Sequence, residues 1–181
     1  MAKTSGGSRN QKKSHPAPVQ MALPGMAPVH GDNNNTLMRH LAGIEDNPGY
    51  FNRTTERVYV FNSDGSLDFT ESQHAPSSVS LTSLQNSRLE NKIVVHNHPS
   101  GSGFSQGDIG VTYAYNLLEL RATGSRGTYI LRRPPGGWPS ETTIRVALSQ
   151  TRPFYWSDAG AWPRFAKAVG ADFKFVPRQM Y

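Results

Sequence analysis

Residues 93–109 read IVVHNHPSGSGFSQGDI. The opening Ile93-Val94-Val95 run, with Lys92 before it and His96 after it, is short and apolar, as expected of a central strand buried on both faces. Alternate residues of a strand face the same way. His96 and His98, at the strand's end, can therefore aim both imidazoles at one point. Gly101 and Gly103 permit the sharp bend and the positive φ of a tight loop. Ser105 and Asp108, three residues apart, then open a helix as cap and first-turn carboxylate. A strand, a bend and a helix start thus bring two imidazoles and a carboxylate towards one point. Three such ligands leave one position of a tetrahedral zinc open, where a bound water is acidified towards neutral pH and becomes a nucleophile. Such a site needs a base, for which a glutamate is the usual choice, and a hydroxyl beside the developing oxyanion, which Ser105 is placed to supply.

Outward from this stretch, strands and helices alternate, as in an α/β or α+β domain. Upstream, ERVYVFN (56–62) alternates as a strand, SDGS turns at Gly65, and LDFTE (67–71) returns as its partner. NTLMRHLAGI (35–44) has the spacing of a short helix, and NPGYFNRTT (47–55) reads as a turn-rich connector. VSLTSLQNSRLEN (79–91) reads as a short strand and then a helix carrying Leu81, Leu84 and Leu89. Downstream, Ile109, Tyr113, Leu117 and Leu120 keep helical spacing and predict a helix over 105–123. GTYILRR (127–133) is a strand, SETTIRVALSQ (140–150) a helix capped by Ser140, AWPRFAKAVGA (161–171) a helix with Pro163 in its first turn, and FKFVP (173–177) a closing strand. Trp138, Trp156 and Trp162 are expected to pack the C-terminal part.

The motif HNHPSG followed by Ser-x-x-Asp resembles that of the JAB/MPN/JAMM metalloprotease domain, most of all its RadC-like branch, over residues 54–135. The resemblance implies an α/β fold of the cytidine-deaminase-like kind, a mixed sheet between layers of helices. It implies that His96, His98 and Asp108 hold Zn2+, that Ser105 stabilises the tetrahedral intermediate, and that Glu56 is the general base. Glu56 matches because it opens a strand ahead of an Asp-Gly turn; Glu71 and Glu90 are the competing carboxylates and do not. The implied activity is zinc-dependent hydrolysis of peptide or isopeptide bonds, often at the tail of a ubiquitin-like protein. Two departures stand out. Asn97 lies between the histidines, as in RadC-like chains, where eukaryotic members carry Ser or Thr. The loop Pro99–Phe104 is one residue shorter than is usual in the family, and its length decides whether Asp108 closes the site.

The 181 residues suit one domain with a tail, and a hydrophobic content of 36% leaves part of the chain unpacked. Residues 1–36, rich in Gly, Ser, Asn, Lys and Pro, read as a disordered basic tail, 37–53 as a linker with a short helix, and 54–181 as the folded domain. The absence of cysteine excludes disulfides, thiolate zinc sites and a cysteine nucleophile. No apolar run reaches a membrane-spanning length, and no secretory signal is evident, so the expected location is cytoplasmic. The net charge of +6 combines −5 over residues 32–120 with +7 over 121–181 and a basic tail. The C-terminal charge admits an alternative role, a DNA-associated or phage-assembly protein that keeps the domain as a binding scaffold and meets nucleic acid through that segment. His15, His30, His40 and His74 read as solvent residues.

Overall fold

The structure, a computed structural model, describes residues 36–72, 79–153 and 160–178. The tail expected before Thr36, His74 and Trp156 lie outside them. Six strands form one mixed sheet in the order β2-β1-β3-β4-β5-β6. They are β1 (Arg57–Phe61), β2 (Leu67–Ser72), β3 (Ile93–Asn97), β4 (Glu119–Gly124), β5 (Gly127–Arg132) and β6 (Asp172–Pro177). Neighbours run antiparallel except β3 and β4. A parallel pair requires a crossover, which α4 (Gln106–Ala114) supplies. The β1–β2 hairpin turns at Gly65, whose φ of 87° suits glycine; a Cβ there would lie 2.5 Å from that of Leu37.

Helices cover both faces of the sheet, giving the expected α/β class. On one face α4, α5 (Glu141–Thr151) and α6 (Ala161–Val169) bury Ile109, Ile144, Ala147, Trp162 and Phe165 against Val58, Val60, Val94, Leu120 and Leu131. On the other, α1 (Thr36–Glu45) and α2 (Pro48–Phe51) bring Leu37, Leu41 and Tyr50 against Phe61, Ile93 and Val95. β3 lies inside the sheet with all five residues buried, as its apolar run implied. Among the described residues no helix is long and apolar enough to cross a membrane.

Three expectations need correction. The helix predicted over 105–123 ends at Ala114, and Glu119–Gly124 is β4. Asn116, at φ 51°, breaks the helix in a left-handed turn. β4 alternates Leu120 and Ala122 with Glu119, Arg121 and Thr123, and every residue in it is buried. Its polar face is neutralised by ion pairs, so the sequence shows no solvent side to betray the strand. Second, residues 79–82 form no strand, and α3 is the single turn Ser83–Asn86. Its Leu84 is 73% exposed, while Leu89 is fully buried. Third, the connector 47–55 contains α2, with Asn47 as N-cap and Tyr50 and Phe51 buried. Residues 36–51 therefore cover the sheet. His40, read as a solvent residue, is exposed on α1, where its ring also stacks on Phe61 and its Nδ1 donates to the Gly65 carbonyl.

Candidate metal centre

β3 ends at Asn97, and the loop after it is fixed at both ends. The His98 amide donates to Thr123 O on β4, and the Gly101 amide donates back to His98 O, closing the turn. Gly101 takes φ 67° there, as expected. Gly103 does not need a positive φ; it needs space, because a Cβ would approach Trp162 Nε1 to 2.7 Å. Phe104 then buries its ring edge-on to Trp162 and Tyr129. This anchor sets the start of α4. Ser105 caps the helix: its Oγ accepts from Asp108 N, while Asp108 Oδ2 accepts from Ser105 N at 2.6 Å, a reciprocal capping box.

Capping does not remove Asp108 from the site, since a carboxylate has lone pairs for both tasks. Its Oδ1 lies 3.3 Å from His96 Nε2 and its Oδ2 lies 3.2 Å from His98 Nε2. The two Nε2 atoms are 2.9 Å apart. Ligands at zinc-like bond lengths on a tetrahedron are separated by about 3.3 Å. The donor atoms thus already have the spacing of a metal's coordination sphere, and the buried His96–His98–Asp108 group can hold a metal ion. The shortened loop delivers Asp108 to the two histidines. His98 Nδ1 lies 3.3 Å from the Ser102 carbonyl, to which it can only donate. That bond leaves the Nε2 lone pair for a metal.

Charge within the group is uneven. Burial pushes Asp108 up, but the neighbouring His96 and His98 outweigh it and hold the carboxyl well below 3.8. Burial opposes protonation of His98, but the hydrogen bond and charge of Asp108, with help from Glu56, hold its imidazolium above 6.5. A metal must displace that proton, so affinity rises with pH until His98 is neutral. Affinity for an added metal, with zinc as the probe, is therefore expected to fall about tenfold per pH unit below His98's raised value. Competition with a chromophoric chelator at stepped pH measures this; a flat profile through that range would contradict it.

The sequence-derived base candidates separate cleanly. The β1–β3 register pairs Val58 with His96. Glu56 lies two residues before Val58, in the segment that leads directly into β1. Burial raises the Glu56 carboxyl above 4.5, His96 and His98 pull it down, and Asp108 pushes it up, so it lies within the field of the site. Glu71 is instead engaged by Gln85 Nε2 and the Ser72 amide. Glu90 is exposed in the turn before β3. Among the described residues no acceptor takes the hydroxyl proton of Ser105.

Sequence reasoning missed the residues that support this group. Asn97 faces away from the metal ligands and binds the backbone on both sides of Glu56, through Arg57 N at 2.7 Å and Thr55 O at 3.1 Å. The signal was an amide between two ligands of a strand, pointing to the opposite face. Gly124 underlies the loop: a Cβ there would meet Gly101 Cα at 2.7 Å and His98 O at 3.1 Å. Nothing local in the sequence announces that contact. No family model matches the chain, and no curated protein or solved structure is significantly similar to it.

Proposed function

We propose that the chain is a zinc-dependent metallopeptidase or isopeptidase of the JAB/MPN/JAMM type, acting on peptide or ubiquitin-like conjugate bonds. The observation that carries this reading is the His96–His98–Asp108 group, with the Glu56 carboxyl inside its electrostatic field just before the strand that pairs with β3. Two imidazoles and a carboxylate are a donor set suited to zinc, and three protein ligands leave a coordination position for water or substrate. Zinc, when bound, supplies Lewis acidity to the scissile carbonyl and acidifies water. The chain's own groups do the rest. Glu56 takes the proton of the attacking water and returns it to the leaving amine. Its raised proton affinity brings it nearer to the working pH of a general base. Ser105 donates its hydroxyl proton to the oxyanion, held in place by its bond from Asp108 N.

Glu56→Gln is the direct test. It removes the proton acceptor and leaves the three ligands untouched. Hydrolysis of a defined peptide pool, read by mass spectrometry on zinc-loaded protein, is expected to slow about 10²- to 10⁴-fold with zinc content unchanged. Hydrolysis at the wild-type rate would defeat the assignment.

A further inference from the structure

Asn97 lies between the two histidines, yet none of its atoms takes part in the ligand group. Its side chain is 0% exposed and points to the α1–α2 face of the sheet. There it replaces a rung of the β1–β3 ladder. The β1–β3 register stops at Val58 opposite His96, and the next amide, Arg57 N, donates to Asn97 Oδ1. Asn97 Nδ2 donates to Thr55 O. One carboxamide therefore holds the peptide groups immediately before and after Glu56. The Tyr50 hydroxyl, from α2 on that same face, holds the same segment by donating to Arg57 O at 2.9 Å.

We infer that Asn97 is a positioning residue for Glu56, a splint by which the end of β3, between the two histidines, also sets the distance of the base. The inference rests on the reading of Glu56 as proton acceptor. Its logic is geometric. β1 has left the ladder at residue 57, and the backbone of residues 55–57 would otherwise lack this link to β3. A proton acceptor works only if held to within about an ångström. Asp108 and His98 are fixed by their own bonds to Ser105 and Ser102, so loss of Asn97 should move Glu56 and leave the ligands in place.

The test uses acetohydroxamic acid on zinc-loaded full-length chain. The acid binds zinc as its anion, and its hydroxyl proton passes to the nearest carboxylate, so affinity reports the base without any turnover. Asn97→Ala is expected to keep wild-type zinc affinity and to bind acetohydroxamate about tenfold more weakly, as for loss of an outer-shell partner. Glu56→Gln should weaken binding at least as much. The double variant should bind no more weakly than Glu56→Gln alone, because Asn97 acts through that residue. Should the alanine variant fail to fold, Asn97→Ser, which reaches one partner at most, takes its place and is also expected to weaken binding. Wild-type hydroxamate affinity in the Asn97 variant, or additive losses in the double variant, would overturn the inference while leaving Glu56 as the base. An unaffected Glu56→Gln variant would instead remove the base assignment, and the inference with it.

Discussion

Replacing Arg121 with alanine is expected to remove roughly 3–5 kcal/mol of stability, a large share of what a domain of this size possesses. Arg121 is only 2% exposed, at the centre of β4. Its Nε donates to Glu119 and its Nη1 to Glu45 Oε1 at 2.7 Å, so one guanidinium joins the sheet to the end of α1. Glu119 also accepts from Arg132, which pairs in turn with Asp172 on β6. Burial pushes Glu119 up, but Arg121 and Arg132 together hold it below 4.5. Without Arg121, Glu119 keeps one partner, and Glu45, which burial already raises above 4.5 despite Arg121, loses its compensating charge. Urea unfolding near neutral pH measures the loss. The sign of the pH effect follows from Glu119: its contribution is full above about 4.5 and fades as pH falls through its depressed value. An alanine variant as stable as wild type would mean that the network is inert.

Replacing His98 with alanine is expected to abolish stable zinc loading. The loss should exceed the roughly 10- to 100-fold that removal of an outer-shell partner costs, because a direct ligand goes. The fold should persist, since His98 lies beyond the last residue of β3 and its amide bond to Thr123 survives the change. Metal analysis after dialysis, with circular dichroism as the control, gives the answer. Ser102→Ala is the companion: it deletes one acceptor for His98 Nδ1 and keeps the Ser102 carbonyl, so it should cost far less. A wild-type chain that cannot be loaded with zinc would sink the hydrolase proposal outright.

What the sequence disclosed follows from how local each cause is. The hairpin at Gly65, the buried run ending at His96, and the Ser105–Asp108 cap depend on neighbours within a few residues, and each is found where expected. β4 was hidden because its polar positions are buried and paired, so the helical spacing of Leu117 and Leu120 prevailed over a two-residue alternation without a solvent face. Glu56 could be ranked above Glu71 and Glu90 by resemblance to a motif, but its nearness to the histidines depends on the pairing of β1 with β3, some forty residues away in the chain. The same distance hid the carboxamide of Asn97. Gly124 and Trp162 matter to the loop only because the sheet and α6 bring them there.

The three candidate ligands are anchored with very different strengths, and this bears on the kinetics of exchange of any ion they hold. His96 lies on an interior strand flanked on both sides, which opens only when much of the sheet does. Asp108 rides on the first turn of a nine-residue helix, where fraying is easiest. An ion held there would be expected to leave first from the carboxylate side, where loosening of the turn frees Asp108 before either imidazole. The hydroxyl and amide of Ser105, which hold that turn shut, would then set the residence time of a bound metal as well as the start of the helix.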